Sequence, residues 1–177
     1  AVGSFHPAGI SGVVTATAGQ MSISKDGRKL GCVKYLDGTM ELFDFDISTG
    51  LVTNPVSILS PDPKVIGTEF SADGTKWYVT SYTDPNIYQY DISSWNSAMI
   101  YATKTSIGVM TTVNCPNSSG SIGYMQRGPD DKIYIAKCGL NHLSVIVAPN
   151  NPGILSGFVN IGVPLGNGVS TFGLSRT

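Results

Sequence analysis

Charge is scarce in this 177-residue chain: 11 basic and 12 acidic residues make up 13% of it and leave a formal net charge of −1. Ordinary soluble domains carry about a quarter. No basic run interrupts that neutrality, so the sequence offers no footprint for nucleic acid. No apolar run approaches the roughly 20 residues of a membrane span, and none is expected. Histidine occurs twice, His6 and His142, without the paired spacing of a zinc site. Cys-x-x-Cys, phosphate-binding glycine loops, dinucleotide fingerprints and the Gly-x-Ser-x-Gly elbow are all missing. No cofactor is therefore implied. The first residues, Ala1-Val2-Gly3-Ser4-Phe5-His6-Pro7, lack the basic and apolar regions of a signal peptide. Low charge with abundant Ser, Thr and Asn nevertheless leans towards an exported protein, extracellular or at the cell surface.

What is present is turn chemistry: 21 Gly and 10 Pro, with apolar residues at 41%. One short stretch is used three times, as Met21-Ser22-Ile23-Ser24-Lys25-Asp26-Gly27, as Glu69-Phe70-Ser71-Ala72-Asp73-Gly74 and as Gln126-Arg127-Gly128-Pro129-Asp130-Asp131. Each is an alternating run, a tight turn, a Lys and a second apolar run. Asp-Gly between alternating runs is a strong hairpin signal, because Gly accepts the positive φ that such turns demand. The turn aspartates are 47 and then 57 residues apart. A repeat of that length with about four strands inside it is the signature of a β-propeller blade. The expected fold is all-β, a partial propeller of four-stranded antiparallel blades with about three present and no helix longer than about two turns.

Residues 1–19 read as a lead-in strand and loop. A first blade occupies 20–66, with strands at Gln20–Ser24, Leu30–Tyr35, Met40–Asp46 and Pro55–Leu59. The second, 67–122, carries strands at Gly67–Ser71, Trp77–Tyr82, Ile87–Ile92 and Met99–Ile107, then an insertion from 108. Phe43-Asp44-Phe45-Asp46-Ile47-Ser48 aligns residue for residue with Tyr88-Gln89-Tyr90-Asp91-Ile92-Ser93. The third, 123–169, has strands at Tyr124–Arg127, Ile133–Lys137, Leu143–Val147 and Phe158–Val163, and 170–177 begins the first strand of another blade. Three blades do not close a ring, and an open stack exposes apolar faces. The expected partners are further blades of the same propeller or another copy of the chain.

Ser24-Lys25-Asp26-Gly27-Arg28-Lys29-Leu30, Glu41-Leu42-Phe43-Asp44-Phe45-Asp46, Ile87-Tyr88-Gln89-Tyr90-Asp91 and Gly128-Pro129-Asp130-Asp131-Lys132-Ile133-Tyr134 resemble the C-terminal blades of large surface proteins of Bacteroidota-type gliding bacteria. These are distant relatives of the YVTN and WD propellers. The resemblance covers nearly the whole chain. It implies a secreted or cell-surface product associated with type IX secretion, with adhesion-type binding to a surface protein or glycan. The sequence departs from that pattern at Asp131, where Gly is usual, and around Val147-Ala148, where Asn is common. The family has no agreed catalytic residues to carry over.

The residues offer few chemical candidates. Asp26, Asp73 and Asp130 read as turn caps rather than metal ligands. Glu69 is the one carboxylate on an expected innermost strand, with Ser22 and Gln126 at the equivalent places. A metal-dependent propeller hydrolase needs several such groups converging on the axis. Trp95, in Ser93-Ser94-Trp95-Asn96-Ser97, is the aromatic expected to be exposed and able to stack on a sugar. Among the cysteines, Cys115 and Cys138 fall at one end of the third blade and make a candidate disulfide, while Cys32 is expected to be buried and free. Three functions are open: a noncatalytic scaffold or binding module, a lactonase- or lyase-like enzyme with its site on the axis, and an assembly protein pairing through open blade edges.

Overall fold

The computed structural model describes residues 19–35, 38–60, 64–111, 122–171 and 173–174. His6 and Cys115 lie outside the described residues. Twelve strands form three four-stranded antiparallel meanders. Blade 1 is β1 (Met21–Ile23), β2 (Lys29–Val33), β3 (Thr39–Asp46) and β4 (Leu51–Leu59). Blade 2 is β5 (Val65–Phe70), β6 (Lys76–Ser81), β7 (Asn86–Asp91) and β8 (Thr105–Val109). Blade 3 is β9 (Ile122–Arg127), β10 (Ile133–Lys137), β11 (His142–Ile146) and β12 (Phe158–Pro164). This is a partial β-propeller. Among the described residues no helix is long and apolar enough to cross a membrane.

The repeated turns fold as their residues require. In blade 1 the Ser24 hydroxyl donates to Asp26 Oδ1 at 2.6 Å, which accepts the Arg28 amide, while Ser24 Oγ accepts the Lys29 amide. The Ser24 hydrogen bond holds the Asp26 carboxyl below its usual range. Ser71 and Asp73 repeat the set on Thr75 and Lys76. Gly27 and Gly74 sit at φ of 71° and 70°, the left-handed region that glycine enters without steric cost. Blade 3 solves the same turn differently. Asp131 takes the left-handed position at φ 62°, and the Tyr134 hydroxyl replaces the missing serine as donor to Asp130. A side chain at Gly128 would meet the Tyr134 ring at 2.7 Å, which is why no serine fits there.

Two strand expectations need correction. The outer strand of blade 2 is shorter than Met99–Ile107, because Ser97–Ala102 forms a short helix, α1, capped by the Asn96 side chain on the Met99 amide. Alanine and methionine favour helix, and Asn at the N-cap offsets an orphan donor. The outer strand of blade 1 begins at Leu51, so Pro55 lies mid-strand. It is tolerated there because the strand is an edge.

Alternation along each strand sends one set of side chains to each neighbouring blade. Val33, Met40, Leu42 and Ile58 of blade 1 pack on Phe70, Trp77, Val79 and Tyr90 of blade 2. Tyr78, Ile87 and Ile107 of blade 2 pack on Met125, Ile133, Ile135 and Ile146 of blade 3. The inner strands β1, β5 and β9 lie side by side.

Candidate functional site

Polar groups concentrate in three places: the inner strands, the blade 2–blade 3 junction, and the far end of blade 3. At the inner strands, an edge strand has amides that no sheet partner satisfies. Gln20, just ahead of β1, reaches across them: its Oε1 accepts from the Thr68 amide at 3.1 Å and from the Met125 amide at 2.9 Å. Blade 1 thus touches both other inner strands through one side chain. Glu69, expected as a possible ligand, is 3% exposed and does the same work one level along. Its carboxylate accepts the Phe70 amide at 2.9 Å and the Arg127 amide at 3.1 Å. Ser22, at the equivalent place in blade 1, is buried between blades, and Gln126 of blade 3 is half-buried. Among the described residues no three His, Cys, Asp or Glu side chains are grouped to hold a metal ion. At the turn face, Lys25 and Asp131 pair at 2.8 Å, joining blade 1 to blade 3.

Trp95 is half-buried rather than exposed. Its indole N–H donates to the Asn54 carbonyl at 2.9 Å, and Lys29 Nζ lies 4.1 Å from the ring centroid. One face of the ring is therefore taken by a cation from blade 1, and Trp95 packs against the blade 1–blade 2 core.

The far end of blade 3 holds a group that the sequence reading passed over. Lys137 is fully buried, and its ammonium donates to His142 Nε2 at 3.0 Å, to the Asn160 carbonyl at 2.8 Å and to Asn160 Oδ1 at 3.0 Å. None of these partners is a carboxylate, and burial pushes the amine down to about 8. Burial, then the Lys137 charge, lowers His142 as well, leaving its neutral imidazole as acceptor. Asn160 Oδ1 also accepts the Thr111 amide at 3.1 Å, tying this cluster to the end of blade 2. One signal in the sequence pointed here: along Ile133-Tyr134-Ile135-Ala136-Lys137, the lysine falls in phase with the two inward isoleucines.

Of the cysteines, Cys32 is buried and free, and burial raises its thiol to about 11. Cys138 is disulfide-bonded. Cys115, its expected partner, lies outside the described residues.

No protein-family model and no curated protein matches the chain. The chain is similar in fold to many solved structures, among them two from Bacteroides species. A putative 6-phosphogluconolactonase from Bacteroides uniformis ATCC 8492 aligns with a TM-score of 0.51 at 14% identity, over 82% of this chain and 41% of that one. A putative 6-phosphogluconolactonase from Bacteroides fragilis NCTC 9343 aligns with a TM-score of 0.50 at 13% identity, over 82% of this chain and 40% of that one. At these identities the likeness establishes the fold, and this chain spans about two-fifths of those proteins.

Proposed function

We propose that the chain is a segment of a noncatalytic propeller module, a rigid scaffold that presents loops to a protein or polymer partner outside the cell. The observation that carries this reading is the use made of the inner polar side chains. Glu69, the one carboxylate on the inner strands, is committed to the Phe70 amide of its own blade and the Arg127 amide of the next, and Gln20 is committed to amides of both other inner strands, so these side chains serve architecture. Pulling Glu69 away to bind a cation would strand the Arg127 and Phe70 amides, at about 1–3 kcal/mol for each buried donor. A disulfide at Cys138 fits the oxidising compartment of an exported or surface protein. The pairing we propose is Cys115–Cys138, which mass spectrometry of a non-reducing digest should return; a peptide linked through Cys32 would overturn it. Elemental analysis with a panel of sugar lactones tests the main reading. We expect no stoichiometric divalent ion and no turnover, and a metal held through Glu69 with lactone hydrolysis would refute it.

A second reading is a sugar-lactone hydrolase. It is favoured by the names of two of the similar solved structures, both putative 6-phosphogluconolactonases. Here the reacting groups would come from blades beyond these three. Hydrolysis of 6-phosphogluconolactone by the complete protein, insensitive to Glu69→Gln, is the result that would favour it over the scaffold.

A further inference from the structure

Two lysines close the second strands of their blades in different company. Lys34 and Lys137 each stand five residues after a turn lysine, Lys29 and Lys132. Lys34 Nζ pairs with the Glu41 carboxylate at 3.0 Å and stays partly exposed. Lys137 is fully buried, and one of its three acceptors, His142, is a base that can itself take a proton. A carboxylate keeps its charge through mild acid, whereas an imidazole gains one between about pH 8 and pH 5.

His142 opens β11, opposite Pro164 of β12, and its ring spans two settings. Nε2 accepts from the Lys137 ammonium at 3.0 Å, while Nδ1 lies 3.2 Å from Asn141 Oδ1 on the exposed side. With Nε2 an acceptor, the ring proton is on Nδ1 and is donated to Asn141. Among the described residues one charge faces this ring. β10 brings Lys137, Cys138 beside it is disulfide-bonded, and Asn141, Asn160 and Pro164 carry no charge. A proton added at Nε2 removes the acceptor and sets two cations 3.0 Å apart with no carboxylate between them. The ring has an exit on its exposed side. The ammonium has none, and once the ring leaves, one of its N–H groups is buried without a partner. It still holds Asn160, which joins three elements. The Asn160 carbonyl accepts the Ser144 hydroxyl at 2.8 Å, Oδ1 accepts the Thr111 amide at 3.1 Å, and Nδ2 donates to Thr111 Oγ1.

We propose that Lys137 and His142 form an acid-sensitive latch where the chain leaves blade 2. The neutral imidazole holds the Lys137 ammonium against Asn160 and so keeps Thr111 fastened to blade 3. Protonation of His142 expels the ring, unseats the ammonium and lets Thr111 go. Burial, then the Lys137 charge, makes the latched ring take its proton at lower pH than a released one. The open site therefore binds more protons across that interval, and acid favours opening. The latch acts alike in a scaffold and in a hydrolase.

NMR of the 177-residue chain tests both ends of the latch. The ring signals of His142, told from those of His6 by His6→Gln, should titrate below the ordinary 6.5, and Lys137→Met should bring them up towards it. The Thr111 amide should lose protection against hydrogen exchange between about pH 7.5 and pH 5, once the intrinsic pH dependence of exchange is divided out. The loss should be about tenfold for each pH unit that separates the two titrations. His142→Gln keeps an acceptor for Lys137 that cannot titrate, so Thr111 should stay protected at both pH values. The Thr68 amide, held by Gln20 at the inner strands, should keep its protection throughout. Thr111 protection that is indifferent to acid, or that falls as far in His142→Gln, overturns the latch. So does a His142 titration that ignores Lys137→Met. A loss that Thr68 shares would be general acid unfolding and would overturn it equally.

Discussion

The junction between blades 1 and 2 and the junction between blades 2 and 3 are built from the same register positions with opposite chemistry. The first is dry and aromatic. Trp77 stacks on Phe70 with centroids 6.4 Å apart and tilts against Tyr90 at 6.1 Å. It fits because the facing residue is Gly31, where a Cβ would come within 2.8 Å of the indole nitrogen. Among the described residues, the buried side-chain atoms without a hydrogen-bond partner are Ser22 Oγ, Thr68 Oγ1 and Trp77 Nε1, all at this junction. The second junction is aliphatic and wired. Tyr78 donates to the Pro149 carbonyl at 2.7 Å, and Gln89 Nε2 donates to Tyr78 Oη and to the Asn151 carbonyl. Gln89 Oε1 in turn accepts the Gly153 amide at 2.7 Å. A repeat thus fixes where a contact occurs while leaving its chemistry free: burial supplies the energy at one junction, and directional bonds fix the neighbouring loop at the other.

The largest break in that comparison is Trp77→Ala, which empties the centre of the dry junction. Truncating a fully buried Trp costs about 3–5 kcal/mol. Equilibrium urea unfolding should show it as a lowered midpoint, and a loss under about 1 kcal/mol would mean that Trp77 is not the keystone of this interface.

At the wired junction the corresponding test is Gln89→Leu. Leucine keeps the volume and removes both donor and acceptor, leaving the Gly153 amide without its partner at about 1–3 kcal/mol. Hydrogen exchange should accelerate at Gly153, whereas amides of the blade 1–blade 2 junction keep their protection. Equal acceleration at both would show that the junctions do not behave separately.

How much of this could be read from the chain is itself uneven. Asp26-Gly27 and Asp73-Gly74 announced their hairpins because the turn is local: Ser, Asp and Gly contain within six residues every group that the turn needs. Period-two alternation announced the strands for the same reason. The fate of Glu69 was illegible, since its partner is an amide 58 residues away in the next blade. Trp95 read as exposed because its flanks are polar, and only the packed blades bring the Asn54 carbonyl and Lys29 to it. The α1 helix was written in Asn96 and the alanines around Met99, but its six residues are too few for a helical period to stand out from an expected strand.

A smaller effect of opposite sign comes from Thr68→Val. Valine keeps the shape and deletes a buried hydroxyl that has no partner, so stability should rise by about 1 kcal/mol. The matching change at the wired junction, Thr80→Val, removes a hydroxyl that donates to the Gly123 carbonyl at 3.4 Å and should not stabilise. A destabilised Thr68→Val would mean that the dry junction satisfies that hydroxyl after all.

An effect confined to alkaline pH lies at the outer end of the wired junction, where Lys137 holds Asn160 and Asn160 holds Thr111. The folded-state amine titrates near 8, against 10.5 for an ordinary lysine. Below pH 8 both folded and unfolded states carry the proton, and the folded state bears the full cost of burying it. Between pH 8 and 10.5 the unfolded chain binds more protons than the folded one, so this group makes stability rise with pH. Cys32 acts against it, because a thiol raised to about 11 from 9 makes stability fall as pH rises through that interval. Comparing the native chain with Lys137→Met cancels the Cys32 contribution, which both proteins share. The difference in unfolding free energy should therefore move in favour of the native chain by up to about 3 kcal/mol between pH 8 and 10.5, at about 1.4 kcal/mol per pH unit. A difference that stays flat across that window would show that the buried ammonium is as well solvated by His142 and Asn160 as it is by water.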